Sequence, residues 1–131
     1  MIWVDTILRG LGIAERFRAV VGGTDVPCGK PPPDVYLRAA EELGFAPAQC
    51  AAIEDSATGV IAAKAAGLRA IVVPNRYTAL QDLSRADAQV RSLEQVMGLL
   101  DWQDLEGLYR FRHQIVLNRL CNLHTYKLAR R

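Results

Sequence analysis

The sequence predicts an α/β fold, with a short parallel sheet and helices on its faces. Three observations predict it. Short apolar runs at 17–21, 51–53 and 70–73 alternate with segments of helical spacing. Each run ends at a turn or polar group: Gly22-Gly23, Glu54-Asp55 and Pro74-Asn75. The runs lack polar alternation, as strands covered on both faces do. Strands alternating with helices imply βαβ units.

The elements follow in order. Apolar residues at 3, 4, 7, 8 and 11 have helical spacing, and Gly10 and Gly12 stand where that helix ends. Phe17 to Val21 reads as a strand closed by Gly22-Gly23. Pro31-Pro32-Pro33 forbids helix until its last proline, which opens a helix over Asp34 to Leu43 that Gly44 stops. Ala51 to Ile53 is the next strand. Ser56 caps a following alanine-rich helix, Ala57 to Ala66, which ends at Gly67. Ala70 to Val73 is a third strand. Residues 82 to 88 are polar and loop-like, Val90 belongs to a last short strand, and 93 to 100 is helical by pattern.

With 131 residues, half of them apolar and 23% charged, the chain fits one globular domain. Net charge is only +2, so charge alone does not make it a polyanion binder. From Gln103 onward, however, six basic residues stand against two acidic ones. Leu105, Leu108, Tyr109, Val116, Leu120 and Leu123 fall near one helical face there. The division is therefore a core domain over 1–102 and a basic, helical extension over 103–131. The aromatics Tyr109, Phe111 and Tyr126 show no stacking-module pattern, so no nucleic-acid partner is expected. His113 and His124 lack companion ligands and read as surface or packing residues. Cys28, Cys50 and Cys121 are odd in number and widely spaced, which fits a reduced, cytoplasmic setting. No run approaches the ~20 apolar residues of a membrane span.

Two features carry chemistry. Glu54 and Asp55 are adjacent carboxylates directly after a buried strand, where charge is costly unless compensated. A hard cation such as Mg²⁺ is one partner for them; simple capping of the next helix by Asp55 and Ser56 is the other. Lys30 lies in Gly29-Lys30-Pro31-Pro32-Pro33-Asp34, where the prolines fix the backbone and hence the direction of the side chain. Such a lysine neutralises a phosphate or crowded carboxylates, or is an ordinary solvated loop residue.

Taken together, the string from Val20 through Lys30-Pro31 to Leu37, then Ile53-Glu54-Asp55-Ser56-Ala57-Thr58-Gly59, then Ala62 to Gly67, resembles the haloacid dehalogenase (HAD) superfamily of phosphotransferases. It looks nearest to the branch of β-phosphoglucomutases and phosphoglycolate phosphatases. The likeness spans about residues 3 to 100. It implies a Rossmann-like sheet of order 3-2-1-4-5. It also implies roles. Lys30 would steady the nucleophile and the transferring phosphoryl group, Asp55 would be a Mg²⁺ ligand with Glu54 a ligand directly or through water, and Ser56 would support that loop. Phosphoryl transfer rests mainly on positioning and charge neutralisation, which agrees with these residue types.

The family's first motif, Asp-x-Asp-Gly-Thr, does not occur in the 131 residues, nor does its second-motif Ser or Thr after a second strand. Asp5 stands in Val4-Asp5-Thr6-Ile7, in a helical pattern without the companion aspartate, and does not suit a nucleophile. The cap domain of the family is missing as well. The fold expected is thus a partial Rossmann-like, HAD-like sheet lacking its first two strands and its cap, with the basic tail appended. Three readings follow. The chain is a truncated, catalytically incompetent phosphatase or phosphomutase domain retaining weak Mg²⁺ or phosphate binding; or one part of a split phosphohydrolase completed by a second chain, acting on a small phosphorylated metabolite; or a non-enzymatic interaction module. The unpaired strand edge left in such a sheet favours a homo-oligomer, a dimer first, unless the tail docks on the sheet.

Overall fold

A computed structural model describes residues 2–28 and 30–99, and the backbone of three further strands at 102–105, 108–111 and 114–117. In chain order the regular elements are α1 (Ile2–Gly10), α2 (Asp34–Leu43), β1 (Cys50–Glu54), α3 (Ala57–Ala65), β2 (Arg69–Val72), β3 (Ala88–Gln89), α4 (Leu93–Met97), β4 (Trp102–Leu105), β5 (Leu108–Phe111) and β6 (Gln114–Leu117). The chain is an α/β protein.

The sheet is parallel, with order β3-β2-β1-β6. Its centre is the β1–α3–β2 unit, in which Ala51 pairs with Arg69 and Glu54 with Val72. All five residues of β1 are buried. Successive strand residues point to opposite faces, and each face has its own core. Cys50, Ala52, Ala70 and Val72 pack with Tyr36 of α2 and Val60 of α3. Ala51, Ile53, Ile71 and Val73 pack with Val96 of α4 on the other side. Covering on both faces is why these strands read as unbroken apolar runs.

Local chemistry sets the helix ends. Pro33 is the N-cap of α2, and Gly44 ends it at φ 75°, a left-handed conformation suited to glycine. Ser56 caps α3, its hydroxyl accepting from the Gly59 N–H at 3.3 Å. The alanines of α3 let it lie close on the sheet, and Ala62 and Ala63 are fully buried.

Two expectations are corrected. Phe17 to Val21 is not a strand: among the described residues no strand lies beside it, and an extended segment without a partner leaves its backbone groups unpaired. Val21 still packs on the core. The tail is not helical where it is described. Trp102–Leu105 and Leu108–Phe111 form an antiparallel pair, and Gln114–Leu117 adds as a parallel strand to the free edge of β1, Ala52 opposite Val116. Aromatic and β-branched residues (Trp102, Tyr109, Phe111, Ile115, Val116) suit strands, and an open sheet edge is a template for one. The expected contribution of Leu120 and Leu123 falls outside the described residues, as do His113, Cys121 and His124. Among the described residues no helix is long and apolar enough to cross a membrane.

Candidate functional site

In an open parallel sheet, ligand groups gather at the carboxyl ends of the strands. Here β1 ends in Glu54, followed by Asp55, and the neighbouring strand β2 leads through Val73-Pro74 into Asn75. The segment before α2 brings Lys30 to the same place. Its bond to Pro31 is cis. Thus the structure brings together Lys30 and Glu54, 24 residues apart in the sequence.

Glu54 is the most enclosed member. Its side chain is 0% exposed and that of Lys30 is 19% exposed. The Lys30 ammonium and the Tyr36 hydroxyl both donate to Glu54 Oε1. Lys30 Nζ also stands 5.3 Å from the centre of the Tyr36 ring, within cation–π range. The carboxylate lies against the first turn of α3. A Cβ at Gly59 would meet Glu54 Oε2 at 1.8 Å, so the glycine is required by the carboxylate and not by its backbone angle.

Asp55 faces the loop after β2. The Asn75 amide donates to Asp55 Oδ2 at 3.1 Å, while Asn75 Oδ1 accepts from the Tyr77 N–H at 2.8 Å. Asn75 is thereby held at both ends of its amide. Gln81 closes the same loop onto α3, accepting from the Ala57 N–H at 2.8 Å. Ser56 acts as the helix cap, as expected of it. Asp25, the other acidic residue near Lys30 in sequence, is committed to a turn and accepts from the Gly22 N–H at 2.6 Å.

Two buried carboxylate oxygens, Glu54 Oε2 and Asp55 Oδ1, have no hydrogen-bond partner among the described residues. Orphaned buried acceptors on adjacent residues are costly, and they fit a hard cation that takes oxygen ligands. The described residues present no group of three or more acidic, histidine or cysteine side chains around such an ion. The donor chemistry fits Mg²⁺, of whose shell these two oxygens would supply a part.

Sequence reasoning missed three residues here. Tyr36 was visible only as an apolar position of a helix, and its hydroxyl gave no separate signal. Asn75 was legible in principle, since it follows a strand adjacent to β1 at the same sheet end. Gly59 belonged to the recognised motif without a role.

A lysine joined to an acidic pair at the carboxyl ends of parallel strands defines the class: an α/β protein built like the phosphate-handling hydrolases. A family model for haloacid dehalogenase-like hydrolases matches residues 2–67. The chain belongs to that family. It is 47% identical over 79 residues to protein CbbY of Rhodobacter capsulatus, an overlap of 60% of this chain and 35% of CbbY. It is 40% identical over 109 residues to the β-phosphoglucomutase of Bacillus subtilis, covering 83% of this chain and 46% of the relative. The crystal structure of CbbY from Rhodobacter sphaeroides in complex with phosphate superposes with TM-score 0.64 and 39% identity, over 68% of this chain and 41% of that one. The chain therefore spans less than half the length of these relatives.

Proposed function

We propose that this chain supplies the lysine and acidic-pair portion of a Mg²⁺-dependent phosphoryl-transfer site, and that the 131 residues do not turn over a phosphate ester by themselves. One observation carries the reading: Lys30 and Glu54 meet at the end of β1, beside two orphaned carboxylate oxygens. Asp55 and Glu54 are the cation ligands, Lys30 the phosphate contact, and Ser56 the support of their loop. Lys30, Glu54 and Asp55 together carry one net negative charge, which repels a phosphate; a bound divalent cation reverses that sign. Phosphate binding is accordingly expected to require Mg²⁺. The missing function is the nucleophile, since no Asp-x-Asp-Gly-Thr occurs in the sequence.

The test is phosphatase activity with Mg²⁺ on p-nitrophenyl phosphate and a panel of sugar phosphates, beside calorimetric titration with phosphate in Mg²⁺ and in EDTA. The expected result is no turnover, with weak phosphate binding in Mg²⁺ that Asp55→Ala and Lys30→Ala abolish. Turnover abolished by Asp55→Ala would place a nucleophile within these residues, and equal phosphate binding in EDTA would remove the cation from the site.

A second reading starts from the Asp-x-Asp-Gly-Thr motif that these 131 residues do not hold. In it the chain is one part of a hydrolase for a small phosphorylated metabolite, completed by a separate polypeptide. Restored turnover on mixing with a fragment carrying Asp-x-Asp-Gly-Thr supports this; no gain at any ratio counts against it. Two smaller elements complete the proposal. With the edge of β1 taken by Gln114–Leu117, a dimer rests instead on the outer side of β6, which has no strand neighbour among the described residues; a monomer at all concentrations in sedimentation would overturn this. Cys28 and Cys50 form no disulfide, which suits a cytoplasmic protein.

A further inference from the structure

Glu54 has two donors on one oxygen, and only one of them can leave. Lys30 is a flexible, partly exposed ammonium on a loop. Tyr36 is 0% exposed, within α2, and packed among the buried residues of one core face. If Lys30 turns its hydrogen bonds toward a phosphate oxygen, Glu54 Oε1 loses a charged partner in a place that water does not reach. A buried carboxylate oxygen left without a donor is costly. The phenol is the donor that stays.

We propose that Tyr36 is a positioning residue of the phosphate site: its hydroxyl keeps Glu54 satisfied and oriented, and so frees Lys30 to exchange its carboxylate partner for a phosphate. The geometry supports each part. The phenol and the ammonium share Oε1, which leaves Oε2 for a cation. The ammonium lies 5.3 Å from the ring centre, so it can move across the ring face and keep its cation–π attraction. Gly59 leaves the carboxylate room against the first turn of α3, where an added Cβ would stand 1.8 Å from Oε2. A neutral donor suits this task better than a second cation, because it does not cancel the charge that the metal needs. The inference rests on the reading of Lys30, Glu54 and Asp55 as a cation–phosphate site.

The experiment compares wild type, Tyr36→Phe, Asp55→Ala, Glu54→Gln and the Tyr36→Phe/Glu54→Gln double variant. Mn²⁺ binding is followed by the loss of the free-ion paramagnetic resonance signal, and phosphate binding by calorimetry at saturating Mn²⁺. Circular dichroism and urea unfolding report folding of each variant. The expected result for Tyr36→Phe is a roughly tenfold loss of phosphate affinity, with a smaller loss for Mn²⁺. In the Glu54→Gln background the same change should cost nothing further, since a phenol that acts through the carboxylate has nothing left to act on. The infrared antisymmetric carboxylate stretch, isolated as the difference from Glu54→Gln, should move when the phenol is removed. A role in packing alone would move neither the coupling nor the stretch. Equal phosphate affinity of wild type and Tyr36→Phe, with Asp55→Ala impaired, overturns the role of Tyr36 and leaves the site standing. Absence of Mn²⁺ binding in wild type, or Asp55→Ala indistinguishable from it, overturns the site itself and the inference with it.

Discussion

Residues 50–73 and residues 17–33 each carry half of the candidate site, and they hold it in different ways. The first is a strand, helix and strand that satisfy one another. β1 pairs along its length with β2, α3 is capped by Ser56, and the enclosed side chains are nearly all apolar. Among its described residues the second has no strand: a turn closes between Gly22 and Asp25, and Lys30 is tied to Glu54. The acidic pair is therefore placed by the sheet, whereas the lysine is placed by what it touches. In the proposed phosphate site, this division would let the carboxylates stay while the ammonium moves.

The largest expected effect separates the two regions directly. Ile71 is 0% exposed in β2, and Ile71→Ala should cost about 3 kcal/mol, as large-to-small changes in a packed core do. Val20→Ala, half-buried and outside any element, should cost under about 1 kcal/mol. Urea unfolding measures both. Equal losses would mean that 17–33 is as firmly packed as the sheet. The next effect lies where the regions meet. Gly59→Ala forces a methyl into the Glu54 carboxylate, 1.8 Å from Oε2. Overpacking of this kind costs about 1–3 kcal/mol, against which better helix propensity restores up to about 1 kcal/mol. A net loss near 1–2 kcal/mol is expected, together with faster proteolysis of 17–33 as the Lys30 anchor shifts. Gly23→Ala, with nothing within 4 Å of its added Cβ, is the control and should leave stability within about 0.5 kcal/mol. A neutral Gly59→Ala would show that Glu54 can relocate freely.

What the sequence made legible follows the same division. The helix over Asp34 to Leu43 and its stop at Gly44 matched residue for residue, because proline and glycine act locally. β1 and β2 were found within a residue or two, because two-sided burial writes an apolar run. Glu54 and Lys30 were found by their chemistry and their motif. The strand at 17–21 was misread because a strand is decided by its neighbour, which lies outside any local window. The tail was misread for the same reason. Leu105, Leu108, Tyr109 and Val116 fit a helical face, yet the first three lie in the antiparallel β4–β5 pair, and Val116 lies in the strand that took the open edge of β1. Tyr36 and Asn75 went unseen because their roles depend on contacts across the fold, with Glu54 and Asp55 respectively.

The smallest effect tests how the sheet region is tied at its far side. Lys64 of α3 donates to both oxygens of Asp87 at 2.9 and 2.8 Å, and the Ala70 N–H at the start of β2 donates to Oδ2 at 2.7 Å. Burial alone would raise the Asp87 pKa; hydrogen bonds from Lys64 and Ala70, with the charges of Lys64 and Arg69, bring it below the ordinary carboxylate value. A carboxylate pKa depressed on folding adds stability that is present in full above the unfolded value, near about 3.9, and is lost as pH falls through the folded value. Asp87→Asn should therefore cost most near pH 7 and progressively less below about pH 4. Both side chains are over a third exposed, at 35% and 37%. Solvent screening then holds the loss to at most about 1 kcal/mol, since asparagine can still accept from the Ala70 N–H. Urea unfolding of wild type and Asp87→Asn at pH 3, 5 and 7 reads the difference, and half-molar salt at pH 7 should shrink it. A difference that stays constant from pH 3 to 7 would show that the carboxylate charge contributes nothing, and that β2 is held to its neighbours by backbone pairing and packing alone.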